Sequence, residues 1–176
     1  MTLFQFNVYC NMENFDWTCF TVKSAVKTDM KTIYDAWTIP SEIKKWFLES
    51  AKYLDSENKT LDYKSNYTAP CSYEWRWYNY GETEKGKVLE TNGTDFIAFT
   101  FAGNCRVEVQ LSSYEDYTII AITQKDIPTD DASKKNVRLG CHGGWSYFLE
   151  NIKSVYENGN DLRIKDAGLH KAINKK

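Results

Sequence analysis

Proline and glycine are scarce in this sequence, at three and nine in 176 residues. That excludes collagen-like chains and Pro/Gly-rich linkers. Histidine is scarcer still, with two, which leaves little material for imidazole-based chemistry. No apolar run approaches the ~18 residues of a membrane-spanning helix, so no membrane partner is expected. Neither sign of charge is in surplus: 22 basic side chains face 24 acidic ones, a net charge of −2. The basic excess that drives binding to phosphate backbones is missing, and no nucleic-acid partner is expected.

The cysteines are few and unpatterned. Cys10, Cys19, Cys71, Cys105 and Cys141 are odd in number and form no CxxC or CxxH spacing. A disulfide scaffold and a structural zinc site are not expected, and neither is any other metal or cofactor; reduced thiols in a cytoplasmic protein fit best. The first 20 residues hold no Lys or Arg, and Gln5, Asn7 and Asn11 interrupt their apolar stretch, so they do not read as a signal peptide. Asn-x-Thr triplets at Asn58, Asn66 and Asn92 read as chance matches in a chain that is not secreted.

Aromatic residues are abundant: 6 Trp, 12 Tyr and 9 Phe make up 15% of the chain. A length of 176 residues suggests one compact domain with a sizeable core. Residues 1–13 read as a leader, 14–159 as the domain and 160–176 as a polar C-terminal tail. Residues 15–27 alternate as a strand. Thr28 is the expected cap of a short helix in which Met30, Ile33, Tyr34 and Trp37 share one face. Pro40 interrupts it, and residues 41–47 form a second short helix. Residues 48–72 are weakly patterned, with a short strand near 50–54. From Ser72 the period is two, with Tyr73, Trp75 and Trp77 on one face and Glu74 and Arg76 on the other. Turns at Asn92-Gly93, Gly103-Asn104 and Glu115-Asp116 then separate strands up to Gln124, which makes an antiparallel meander with one dry face.

A long helix opens after Pro128, with Asp130 and Asp131 in its first turn and Gly159 as its stop. Val137, Cys141, Trp145, Phe148, Leu149, Ile152, Val155 and Tyr156 form its apolar stripe. Gly140, Gly143 and Gly144 cost roughly 1 kcal/mol each inside a helix relative to Ala, so a local distortion is expected at 140–144. The predicted class is α+β. A curved antiparallel sheet of about six to seven strands wraps a long C-terminal helix, with two short helices after the first strand.

The motifs Asp35-Ala36-Trp37-Thr38-x-Pro40, Lys45-Trp46-Phe47, Tyr73-x-Trp75-x-Trp77 and Gly144-Trp145 with Phe148-Leu149 resemble the SRPBCC (START-like) superfamily. Within it the chain is similar to the AHSA-type family, the activator-of-heat-shock-protein-ATPase homologues. The resemblance covers about residues 14–163 and implies a helix-grip fold with a cavity between sheet and helix. The superfamily includes lipid and hormone binders, cyclases and co-chaperone domains. The eukaryotic co-chaperone carries the fold behind a separate N-terminal domain that engages the chaperone. About 14 residues precede it here, which ranks chaperone engagement second.

On these grounds the expected activity is non-enzymatic binding of a small hydrophobic molecule by a monomer or homodimer. Its expected walls are Trp46, Trp75, Trp77, Phe99, Phe101, Cys105, Val107 and Val109, closed by Cys141, His142, Trp145, Phe148 and Leu149 of the long helix. A self-filled core is the competing reading. The alternatives are an interaction module, with a chaperone as partner, and a cyclase- or hydrolase-like enzyme. His142, Arg138 and Tyr147 are the groups that could orient a polar end. His142 could also act as a base, but no nucleophile is placed beside it by spacing. The alternating Glu74/Arg76 and Arg106/Glu108 read as ion pairs on the wet face.

Overall fold

The computed structural model describes residues 15–175. The expected leader, residues 1–13, lies outside the described residues, as does Cys10. Seven strands form one antiparallel sheet in the order β1-β7-β6-β5-β4-β3-β2. They are β1 Phe20–Val26, β2 Ser50–Leu54, β3 Cys71–Arg76, β4 Glu84–Thr91, β5 Phe96–Phe101, β6 Cys105–Tyr114 and β7 Tyr117–Lys125. Helices α1 (Met30–Thr38) and α2 (Pro40–Trp46) follow β1. The long helix α3 is continuous over 28 residues: α-helical at Asp131–Ser133, π-helical at Lys134–Leu139 and α-helical again at Gly140–Asn158. A short helix α4, Ala167–Ile173, closes the described chain. The expected helix-grip architecture is present.

The turns form where the sequence places them. In the β4–β5 hairpin the Asn92 Oδ1 accepts from the backbone N–H of Thr94, Asp95 and Phe96, each at 3.0 Å. Gly93 takes φ +81°, a left-handed value that glycine reaches without strain. The caps fall one residue later than expected. Asp29, not Thr28, caps α1 by accepting from the Thr32 N–H. Asp130, which was expected inside the first turn of α3, is its cap and accepts from the Ser133 N–H. A carboxylate beats a hydroxyl here because its charge also meets the positive end of the helix dipole.

The expected distortion of α3 at 140–144 is not there. The helix departs from α geometry one turn earlier, at Lys134–Leu139, while all three glycines lie in regular α-helix. A π-turn inserts one extra residue per turn and so rotates the side chains that follow.

The inner faces of sheet and helix meet in an aromatic core. Phe47 is its hub, with ring centroids 4.7–6.1 Å from Trp37, Trp46, Trp75, Trp77, Trp145 and Phe148. Three indoles find partners: Trp46 donates to the Ala36 carbonyl, Trp75 to the Tyr53 hydroxyl and Trp145 to the Gln124 Oε1. Gln124 is fully buried. It sits there because the register aligns Phe99, Val107, Gln124 and Phe20 in one row across the inner face. On the outer face the charged residues pair, Lys52–Glu74–Lys85 and Lys125–Glu108 across strands, Arg106–Glu108 within β6, and Arg76 with Glu49 just before β2.

Residues 160–176 read as a polar tail, but part of that segment is bound tightly. Asn151 of α3, fully buried, donates to the Trp46 carbonyl and to Asp161, and accepts from the Leu162 N–H. The Arg163 guanidinium donates to the Lys44, Lys45 and Leu48 carbonyls and to Asp161. Arg163 and Asn151 between them satisfy the open Lys44, Lys45 and Trp46 carbonyls at the end of α2.

Candidate functional site

Most of the predicted wall is solid core. Trp46, Trp75, Phe99, Cys105, Val107, Val109 and Leu149 are each at most 2% exposed and pack against one another and their neighbours. The space lies at one end of the sheet–helix interface, beside the first turns of the α-helical part of α3. There an inner chamber of about 330 Å³ opens to the surface, at the lower end of the size usual for small-molecule sites.

Trp77, Phe101, Cys141, Trp145 and Phe148 line this chamber, as the sequence suggests. Phe47, Tyr80, Gly140 and Gly144 complete it and are missing from the expected set. Phe47 carried a signal, its place in the Trp46-Phe47 pair. The glycines were visible as anomalies but attributed to a kink. Their role is spatial: a Cβ on Gly144 would meet nothing within 4 Å, and one on Gly140 only the Lys135 carbonyl at 3.8 Å. Missing side chains on one edge of α3 leave the groove open, while the sheet side supplies the rings. Trp77 falls one residue past the end of β3 and still turns its ring inward, against Phe47 and Phe101.

His142 is not at the chamber. It is exposed and lies against Phe20, with ring centroids 5.3 Å apart, on the β1 side of α3. Arg138 is also committed elsewhere, its guanidinium 4.8 Å from the ring centroids of both Phe15 and Phe20. The Tyr147 hydroxyl donates to the Leu162 carbonyl at 2.9 Å.

Among the described residues, the only titratable groups on the inner chamber are the Cys141 thiol and the Tyr80 phenol at its edge. Burial pushes the Cys141 thiol up to about 11, against a weaker opposing hydrogen bond with Gln124. At neutral pH it is protonated and a poor nucleophile. No carboxylate or histidine lines these walls among the described residues, and no cluster of three or more His, Cys, Asp or Glu that could hold a metal occurs there. The chamber can bury apolar surface, but it presents no acid–base pair.

A second, outer chamber of about 340 Å³ continues from the first. The two share Phe47, Trp77, Tyr80, Gly144 and Phe148. The outer walls add Tyr78, Tyr147, Arg163, Ile164, His170, Ile173 and Asn174. The C-terminal segment therefore builds one side of it.

Residues 27–157 match the family model described as activator of Hsp90 ATPase homolog 1-like protein. The chain belongs to that family. Membership supports a ligand-binding or interaction module in general terms. Solved structures share the fold. A Staphylococcus saprophyticus protein is 22% identical over 82% of this chain and 96% of its own, with a TM-score of 0.66. The Aha1 dimer from Colwellia psychrerythraea is 19% identical over 81% and 98%, with a TM-score of 0.63. A conserved protein of unknown function from Enterococcus faecalis is 16% identical over 90% and 86%, with a TM-score of 0.62. No curated protein matches. The family match ends at residue 157, before the segment that walls the outer chamber. No described helix is long and apolar enough to cross a membrane.

Proposed function

We propose that this AHSA1-type protein binds a small hydrophobic molecule, non-covalently, in the chamber between the sheet and α3. The observation that carries the reading is a continuous aromatic wall facing an edge of helix stripped of side chains at Gly140 and Gly144. A helix that only filled a core would gain stability from Ala at these positions. Burial of apolar ligand surface supplies the affinity, at about 25 cal/mol per Å² before ordering costs. The protonated Cys141 thiol and the absence of an acid–base pair on the described walls favour binding over turnover. A cytoplasmic setting fits this reading, since the four described cysteines are free thiols.

The test is a titration with N-phenyl-1-naphthylamine, whose fluorescence rises in apolar pockets. The wild type gives saturable binding. Gly144→Leu fills the chamber, lowers affinity at least tenfold and leaves the thermal midpoint unchanged or raised, since Leu gains up to about 1 kcal/mol of helix propensity over Gly. Absence of saturable binding by the wild type, or equal binding by the variant, overturns the reading.

A second reading is an interaction module, whether self-associating or chaperone-associated. Tyr80, Tyr147, Leu162, Leu169 and Ile173 are all more than 40% exposed and lie on the segments that frame the outer chamber. Exposed apolar clusters of this kind mark contact surfaces. The likeness to a protein solved as a dimer makes a second copy the partner to test first.

A further inference from the structure

The two chambers run together. The residues they share, Phe47, Trp77, Tyr80, Gly144 and Phe148, are aromatic apart from one glycine, so a molecule in the inner chamber meets apolar surface all the way into the outer one. Polar groups along the outer walls are engaged or meet water. The Arg163 donors go to three carbonyls and to Asp161, the Tyr147 hydroxyl to the Leu162 carbonyl, and the Asn174 amide to the His170 carbonyl. Tyr80 is 64% exposed and meets solvent, and His170 stands half exposed beside it, with ring centroids 5.8 Å apart. The Trp77 indole N–H is buried without a partner, and an atom so covered offers an occupant nothing to bond. These walls select for apolar surface, not for a head group.

Helix α4 forms the far wall. His170, Ile173 and Asn174 sit at i, i+3 and i+4, on one side of the helix, and line the outer chamber. The helix is well started, with Asp166 accepting from the Leu169 N–H, but it is weakly held. It has seven residues, none of them buried, and among the described residues its side chains make no hydrogen bond to the rest of the protein. The tight anchor stops short of it, at Arg163 and at the Ile164 carbonyl, which accepts from Asn79 at 2.7 Å. A helix this short is marginal unless something packs on it. Ile173 lines the chamber and is still 59% exposed, so its apolar surface awaits an occupant of that chamber.

We propose that the ligand is an elongated molecule, apolar along its length, which fills the inner chamber and extends into the outer one, and that α4 closes on its outer end as a lid. Contact with Ile173 then sets the preference for length. The inference rests on the ligand-site reading above and deepens it. The lid lies beyond the family-matched residues, so this length preference comes from the chain's own C-terminal segment.

The test uses two neutral probes that fluoresce in apolar surroundings, the rod-shaped 1,6-diphenylhexatriene and the shorter N-phenyl-1-naphthylamine. Saturating the wild-type protein with the hexatriene slows amide hydrogen exchange over residues 169–173 about tenfold. Ala172→Pro, at an exposed position that lines neither chamber, breaks α4. The variant releases the hexatriene about tenfold faster, the worth of burying one branched aliphatic side chain, and its affinity for the hexatriene relative to the naphthylamine falls by the same factor. Unchanged exchange in the wild type, an unchanged release rate in the variant, or binding of the naphthylamine alone overturns the elongated ligand and its lid and leaves the ligand-site reading standing. Failure of both probes to bind the wild type overturns the two together.

Discussion

At the scale of single residues, two glycines do opposite work. Gly144 keeps space open. Gly86 is a position where none exists: it pairs directly with Tyr73 across β3 and β4, and the Tyr73 ring lies over it, so that a Cβ would overlap the ring and its hydroxyl. The same hydroxyl donates to the Thr100 carbonyl on β5, which fixes the ring in place. Gly86→Ala therefore lowers stability by about 1–3 kcal/mol, as overpacking does in a rigid neighbourhood. Urea unfolding with an unchanged m-value checks it. Both glycines look alike in the sequence, and only the surrounding atoms separate them.

At the scale of elements, the C-terminal segment is the informative case. Burial pushes the Asp161 carboxyl up, but hydrogen bonds from Arg163, Lys165, the Arg163 backbone and Asn151 outweigh it and hold the group well below the usual carboxylate range. A carboxyl depressed in the folded state contributes stability above its unfolded value, roughly 3.9, and loses it as pH falls toward the folded value. Stability should therefore decline as pH drops below about 4. Asp161→Asn should remove that part of the acid sensitivity while costing about 1–3 kcal/mol at pH 7, since Arg163 keeps its charge without its partner. Chemical denaturation at pH 7 and pH 3, for wild type and variant, reads both effects. An equal loss between the two pH values in both proteins would remove Asp161 as the cause.

At the scale of the whole molecule, the two functional readings separate by mass. Native mass spectrometry of protein purified from its own host should show an added small-molecule mass if the chamber is a ligand site. A doubled subunit mass, returned to monomer by Leu169→Glu, would instead support the contact surface around α4. Both can hold together, because the exposed patch frames the outer chamber and leaves the inner one free. A bare monomer at micromolar concentration would count against the second reading, and an unliganded protein that also fails the naphthylamine titration against the first.

The order of elements, the sheet's dry face and the helix-grip architecture were legible in the sequence because each rests on short-range periodicity. Alternation of Tyr73 and Trp75, the Asn92-Gly93 turn and the apolar stripe from Cys141 to Tyr156 report which face of an element is dry. The motifs from Trp37 to Phe47 and from Gly144 to Leu149 pointed to the family. Periodicity cannot say how two dry faces fit. Phe99, Val107 and Val109 fill the interior: the register sets Phe99 beside Val107 and Val109 between Ile97 and Ile122, the Phe99 ring packs on Trp75 and Trp145, and the same register buries Gln124 as the acceptor that the Trp145 indole needs. The free space was displaced to the end of the interface, where Gly140 and Gly144 leave it open beside Phe47 and Trp77. His142 was misplaced because it lies on the flank of the stripe opposite Gly144 and Phe148, against Phe20 of β1, and periodicity does not say which flank meets the open end. The anchor of Asn151, Asp161 and Arg163 joins residues more than 100 positions apart, from α2 to the C-terminal segment. Sequence by itself determined which surfaces must be dry; tertiary structure alone decided where they fail to fill the space between them, because a void is set by packing across elements, which no single element encodes.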